Sequence, residues 1–236
     1  MKYLLVPGAW HGGWAWHAVA QRLRTAGHEA ECLTLPGMGD GEDRRGIGLA
    51  DATRHIVSRA DRQLADDLVL VGHSLGGLMI SAAAEALRDR LRRLVFVDAF
   101  VPVPGRSMND ANAPEIRQYV ADMVDGSADG TVGVPDYDLA KSALMQDLPD
   151  VAARLIYQLL TPTPGGYFLD PYPGPDVSDL GVALSYVLAD DDQGLAVPGP
   201  DLAERLGVEP VSVPGTHEAL LTHPDAVAEA ILRLQD

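Results

Sequence analysis

Cationic side chains and sulfur are scarce in this chain of 236 residues. It carries 18 Lys and Arg against 34 Asp and Glu, a formal net charge of −16. Even Arg88, Arg90, Arg92 and Arg93 are interleaved with Asp89 and apolar residues. A chain so poor in cations lacks the groups that displace counterions from a phosphate backbone, which argues against nucleic acid and anionic membrane as partners. Cys32 stands alone, so neither an internal disulfide nor a multi-cysteine metal site can form, and its place in an apolar run reads as a buried, inert thiol. No apolar run approaches the roughly 20 residues that a membrane-spanning helix needs. Met1–Pro7 lacks the features of a signal peptide, so the expected location is cytoplasmic. What remains is ordinary for a folded protein, with 47% hydrophobic and 22% charged residues.

Apolar runs alternate with helical patterns along the chain. The runs Tyr3–Val6, His28–Leu35, Leu68–Gly72, Leu94–Asp98, Val182–Leu188 and Glu209–Val213 read as strands. Trp14–Thr25, Leu49–Leu64, Leu75–Arg88 and Asp225–Leu234 read as helices. Strands that alternate with helices imply parallel βαβ units, so the expectation is an α/β fold with a roughly six-stranded, mostly parallel sheet flanked by helices. Residues 1–236 read as a single domain, interrupted between about 102 and 178 by a Pro-rich segment with helical patches at Ala113–Val124, Tyr137–Gln146 and Val151–Leu160. A segment of this length between two sheet strands reads as an inserted helical lid.

The sharpest chemical signal is Gly72-His73-Ser74-Leu75-Gly76, a G-x-S-x-G pentapeptide between a strand and a helix. The turn holds the serine in strained geometry with its hydroxyl exposed, and the two glycines remove side chains that would collide there. A serine needs a base, and in this architecture the acid and then the histidine follow it in the chain. Of seven histidines only His217 and His223 lie after Ser74. His217 sits in the loop after the last strand, where it can reach the sheet edge, whereas His223 reads as a surface or helix-entry residue. The acid is one of Asp190, Asp191 and Asp192 after Val182–Leu188, or else Asp98 at the end of Leu94–Asp98, for which a structural role is the plainer reading. An oxyanion hole needs two backbone N–H groups, and Leu75 and Ala9 are placed to supply them. Trp10 and Trp14 are equally suited to a pocket wall and to core packing.

Several segments together resemble the α/β-hydrolase superfamily, and more narrowly the methyl-salicylate esterase and hydroxynitrile lyase family with its bacterial relatives. They are Val6–Trp16, Leu35-Pro36-Gly37-Met38-Gly39, Val71–Gly77, Val97-Asp98-Ala99-Phe100-Val101-Pro102 and Gly215-Thr216-His217. The family pattern sets Asp192 in the acid's place, while an interval to His217 shorter than the family's usual one keeps Asp190 as runner-up; the resemblance also places the oxyanion amides at Ala9 and Leu75. Esterases of this type often carry His-Gly before the oxyanion residue, where this chain has Pro7-Gly8. Hydroxynitrile lyases place a lysine after the catalytic histidine and a threonine before the oxyanion residue, but here those positions are Glu218 and Gly8. Related hydrolases that open epoxides or displace halide use an aspartate nucleophile at this turn, and Ser74 argues against both.

The resulting expectation is a serine esterase that cleaves a small or medium carboxylic ester, such as a methyl or aryl ester, through an acyl-enzyme on Ser74. The alternatives are a hydrolase-fold binding protein with little turnover, and C–C hydrolase or lyase chemistry on the same triad. Trp10, Tyr157, Phe168 and Tyr172 are the candidate pocket residues, with Tyr167, Met108, Met123 and Met145 as further lid contacts. Asp125–Asp136 resembles the start of a calcium loop, but Pro135 and the lack of a closing Glu argue for a solvated turn. No cofactor or metal is implied, and a homodimer would be compatible with the sequence.

Overall fold

The computed structural model describes residues 1–62 and 67–234. Six parallel strands form one sheet in the order β2-β1-β3-β4-β7-β8. They are β1 (Lys2–Val6), β2 (Glu29–Cys32), β3 (Leu68–His73), β4 (Leu91–Val97), β7 (Ala183–Ala189) and β8 (Val211–Val213). The central strands are apolar on both sides because both faces are covered. Leu4, Val6, Leu70, Leu94, Phe96 and Tyr186 pack into one core layer, and their neighbours Tyr3, Leu5, Val69, Val71, Val95 and Val187 into the other. This alternation is the strand period of two expressed as two cores. Helices α2 (Leu49–Asp61), α3 (Gly76–Leu87) and α8 (Gly199–Arg205) contribute to the first layer, and α1 (His17–Thr25), α9 (Ala219–Thr222) and α10 (Pro224–Arg233) to the second.

The strand boundaries depart from the sequence expectation in instructive ways. β2 stops at Cys32 instead of Leu35, because the chain turns off the sheet edge and the Thr34 hydroxyl accepts a hydrogen bond from the Gly13 amide at 2.9 Å. This leaves Cys32 half-buried at the strand end. β4 starts at Leu91 rather than Leu94, since Arg93 can extend in the ladder while its guanidinium donates to Ser185 Oγ at 2.7 Å. β8 begins only at Val211. A 3₁₀ turn over Gly13–Trp16 precedes α1. α2 is described to Asp61, so Leu64, the expected end of that helix, lies outside the described residues.

Between β4 and β7 the chain builds the lid from α4 (Pro114–Gly126), β5 (Thr131–Val132), α5 (Tyr137–Ala143), α6 (Asp150–Tyr157), β6 (Thr163–Pro164) and α7 (Gly166–Leu169). The three expected helical patches are α4, α5 and α6, each within a few residues of its expected span. The antiparallel β5–β6 ribbon was not foreseen, and a two-residue strand ending in proline, which has no amide proton for a ladder, carries no readable period.

The register aligns the C-terminal ends of the strands, with Val6 opposite Gly72, His73 opposite Val97, Val97 opposite Val187 and Ala189 opposite Val213. The loops that leave these ends therefore converge. Helix α3 lies close under them because Gly77 has no side chain: a Cβ there would stand 2.1 Å from the Phe100 carbonyl oxygen. We expect Gly77→Ala to destabilise the fold by about 1–3 kcal/mol through overpacking against that rigid carbonyl, read as a lower urea midpoint at unchanged slope.

Candidate active site

Among the described residues, three other than glycine adopt positive φ, namely Trp10 at 63°, Ser74 at 52° and Asp98 at 43°. They follow β1, β3 and β4, so all of this backbone strain sits at one edge of the sheet. Such conformations cost of order 1–3 kcal/mol each and persist only where the surroundings over-determine them.

At Ser74 the surroundings do so. A Cβ at Gly72 would lie 2.6 Å from the Gly76 backbone, and one at Gly76 would lie 2.6 Å from the Val6 carbonyl oxygen. Only glycines let the chain reverse this tightly. The Ser74 amide donates to the Val97 carbonyl at 3.3 Å, and the Ser74 carbonyl accepts from the Gly77 and Phe100 amides at 3.1 and 3.0 Å. The loop after β1 presses on the same turn. A Cβ at Gly8 would stand 2.7 Å from the Ser74 Cβ, so no threonine fits there, and the Gly8–Ala9 backbone lies directly beside the serine. Ala9 faces the cavity in front of Ser74, and Leu75 is the residue that leads into α3.

His217 stands in the loop after β8. Its ring is buried, with Nδ1 2.8 Å from Asp192 Oδ1. Asp192 is itself held by the Gly194 amide, which donates to the same oxygen at 2.8 Å. The ring packs on Gly194 so closely that a Cβ there would meet His217 Cγ at 2.3 Å. The other carboxylates of the turn face elsewhere: Asp190 accepts a hydrogen bond from the Ser212 hydroxyl, and Asp191 is exposed, its amide donating to the Gly215 carbonyl at 3.0 Å. Asp98 is fully buried and turned aside, its Oδ1 accepting from the Ala189 amide at 2.7 Å. Thus one carboxylate of the four candidates meets the imidazole. His223 lies at the entry of α10 and bonds to the Thr222 hydroxyl at 2.8 Å.

The electrostatics sort these groups further. Burial alone would depress the His217 imidazole, but the hydrogen bond and charge of Asp192, followed by the charges of Glu218 and Asp98, lift it to about 9. Asp192 also resists its own burial: the hydrogen bond and charge of His217 hold its carboxyl below the ordinary value. Asp98 goes the other way, because burial and the nearby charge of Asp192 push it up to about 8. When the His217 ring is neutral, with its Nδ1–H directed at Asp192, Nε2 is its acceptor.

Ser74 and His217 both line a cavity of about 350 Å³ under the lid. Its wall is largely apolar and includes Trp10, Phe100, Met108, Met123, Leu139 and Phe168. Trp10 carries the lid on its backbone: its amide donates to Thr163 Oγ1 at 2.8 Å, and its carbonyl accepts from the Thr161 amide at 2.9 Å. Two of the expected pocket residues are elsewhere. The Tyr157 hydroxyl is spent on the Pro135 carbonyl at 2.9 Å and its ring packs on Tyr137, while Tyr172 is wholly buried in the main core. Tyr167 and Met145 are likewise core, the first bonded to the Pro36 carbonyl and the second within the lid's own cluster. Trp14 packs on His11 instead of the cavity. In the stretch that resembles a calcium loop, Asp129 accepts from Ser127 and Thr131 and Asp136 caps α5. Among the described residues no group of three or more His, Cys, Asp or Glu is arranged to hold a metal ion.

Sequence reasoning passed over His11 and His73. The His73 ring is driven well below the ordinary histidine range by burial and by the neighbouring His217 and His11, and its Nε2–H donates to the His217 carbonyl at 2.9 Å. It thereby fixes the backbone of the residue whose ring faces Ser74's cavity. His11 donates through Nδ1 to the Ala9 carbonyl at 2.7 Å and faces Glu218 across 3.4 Å. Their adjacency to Ala9 and Ser74 in the motifs was the available signal.

Relatives of known name place the fold. A carbendazim hydrolyzing esterase of Nocardioides sp. (strain SG-4G) is 39% identical over 109 residues, 45% of this chain and 45% of that protein. Methyl jasmonate esterase 1 of Vitis vinifera is 30% identical over 165 residues, 68% of this chain and 61% of its own length. The chain thus spans less than two thirds of the curated relatives it matches. Among solved structures, an extracellular α/β-hydrolase from a Paenibacillus species, described as sharing structural and functional homology with tobacco salicylic acid binding protein 2, superposes with a TM-score of 0.92. It is 23% identical, covering 99% of this chain and 98% of that one, which establishes a shared fold. The alpha/beta hydrolase family model matches residues 3–230, and with the parallel sheet and the serine turn in place, the chain belongs to the alpha/beta hydrolase family.

Proposed function

We propose that the protein is a serine carboxylic ester hydrolase acting on small to medium esters, with Ser74 as nucleophile, His217 as base and Asp192 as the acid that orients it. The observation that carries this reading is that the strained Ser74 turn and the Asp192–His217 pair open onto one largely apolar cavity. His217 Nε2 takes the Ser74 proton as Oγ attacks the ester carbonyl, and the Ala9 and Leu75 amides hold the oxyanion. The imidazolium then protonates the departing alcohol, and water repeats the sequence on the acyl-enzyme. The names of the relatives, among them a methyl jasmonate esterase and a pyrethroid hydrolase from Sphingobium faniae, support ester chemistry over the alternatives. Glu218 in the wall and the lack of room at Gly8 count against cyanide chemistry. No helix among the described residues is long and apolar enough to cross a membrane; a cytoplasmic location is part of this proposal.

Hydrolysis of p-nitrophenyl butyrate and labelling by a fluorophosphonate probe test the reading together. Both are expected in the wild type and both should vanish in Ser74→Ala, with turnover down on the order of 10⁴-fold or more; labelling without turnover of any ester would favour a binding protein instead. The acid is tested by a pair of isosteres. Asp192→Asn should lower kcat on the order of 10⁴-fold, by analogy with other triads, whereas Asp98→Asn changes a carboxyl that bonds to the Ala189 amide and not to the imidazole, and should stay within a few-fold of wild type. The reverse order would transfer the role to Asp98.

The pH profile follows from the carboxylates around His217. A base held up to about 9 is mostly protonated at neutral pH, so kcat/KM for a neutral ester should climb through the ordinary histidine range and level off only in the alkaline region. A plateau already reached at pH 7 would contradict the field described above.

A further inference from the structure

Large apolar side chains left in solvent are usually scattered, but three of them gather here at the mouth of one cavity. Ile116 and Tyr119 of α4 and Leu139 of α5 are 50%, 62% and 55% exposed. All three also line the cavity that holds Ser74 and His217. On α4 the apolar surface continues inward. Ile116, Tyr119, Val120 and Met123 are spaced i, i+3, i+4 and i+7, so they share one face of the helix, and each of them lines the cavity. Exposure falls along that face, since Val120 is 8% exposed and Met123 is half-buried against the main core. From Ile116 to Met123 the face runs about 10 Å, at a rise of 1.5 Å per residue. It is an apolar rail that leads from solvent into the cavity of the triad. Another face of α4 is ordinary surface, where the Gln118 amide donates to Asp122 at 2.7 Å.

The outer end of the rail does not hold the helix in place. The Asn109 side chain donates to the Arg117 carbonyl at 3.0 Å, and Val120 and Val124 pack on the core, whereas Ile116 and Tyr119 stand half or more in water. An apolar patch with a polar rim, here Asn112 and Asp136, is the form that ligand grooves take. Continuity with the cavity makes the ligand of that cavity its occupant. Among the described residues no Lys or Arg lines the cavity, so a chain that ends in a carboxylate would find no counter-charge along it. Resting on the esterase reading, we propose that Ile116, Tyr119 and Leu139 form a binding site for the far end of an uncharged apolar chain on the ester. The preferred substrates are then medium-chain esters, whose acyl or alcohol chain reaches from Ser74 outward along α4.

The test compares p-nitrophenyl octanoate with p-nitrophenyl butyrate below the concentration at which either aggregates, each rate divided by that of hydroxide-catalysed hydrolysis. A second arm compares octyl acetate with butyl acetate, and the arm that responds identifies the half of the ester that follows the rail. In that arm wild type should favour the longer chain in kcat/KM by about tenfold or more, which burial of roughly two of its four additional methylenes supplies. The preference should fall to near unity in Ile116→Ser/Tyr119→Ser and recover in Ile116→Leu/Tyr119→Phe, which restores apolar surface. Because a ratio is read, any general loss of activity in these variants cancels. A ratio near unity in both arms of the wild type, or one that the serine variant leaves unchanged, would overturn the proposal. So would a wild-type dimer that the serine variant dissociates with the ratio unmoved, since the lip then belongs to a second copy of the chain. Should no ester be turned over at all, the esterase reading fails separately. The site is then decided by calorimetric binding of octanamide and butanamide to Ser74→Ala, with and without Ile116→Ser/Tyr119→Ser. Tighter binding of the longer amide that is lost with the serines sustains it, and equal binding overturns it.

Discussion

The reversal of the chain at Ser74 is the constraint around which the sheet edge is arranged. A serine at φ 52° is held there by bonds from the ends of two other segments, through the Val97 carbonyl and the Phe100 amide, and by glycines at 8, 72, 76 and 77, where any side chain would collide with backbone or with Ser74 itself. Those glycines let the loop after β1, the start of α3 and the loop after β4 approach one point. The other two strained residues, Trp10 and Asp98, are the first consequences of this crowding, since each lies in a loop forced to leave the same edge. Local strain is offset here by the two packed layers of the sheet, which fix the strand ends in register.

Around that point the protein gathers an unusual amount of ionisable chemistry out of contact with water. His11, His73, His217, Asp98 and Glu218 are all buried, and the Asp192 side chain is 3% exposed. The groups are not equivalent. Burial drives His73 well down and leaves it useful as a donor, burial and the charge of Asp192 push Asp98 up, and the ion-pair character is concentrated in Asp192 and His217. Two carboxyl groups near one imidazole thus behave differently because one of them contacts it and the other does not.

Much of this was legible beforehand because it is local in the chain. Strands buried on both faces announce themselves as short apolar runs, and the G-x-S-x-G turn sits within five consecutive residues. Asp192 could not be separated from Asp190 and Asp191 by composition alone, because the choice depends on how a turn after β7 meets the loop after β8. The family resemblance ranked them where periodicity could not. The aromatic residues of the lid were the least readable. Phe168 faces the cavity while Tyr157 and Tyr172 do not, a distinction set by how the lid folds back on the sheet. Likewise Arg93 masks the beginning of β4, since a charged residue at a strand end breaks the apolar run without breaking the ladder.

The attachment of the lid to Trp10 has a bearing on how such a protein can diversify. Two of the bonds that fasten it there are main-chain Thr161 to main-chain Trp10 and the Thr163 hydroxyl to the Trp10 amide, so the anchorage asks little of the identity of side chains elsewhere in the insertion. The surfaces that line the cavity from α4 and α5 can then drift, lengthen or be exchanged while the strained loop beside Ser74 keeps its shape. New ligand preferences become accessible by rewriting the insertion between two fixed hinges, without disturbing the segment that shapes the reacting centre.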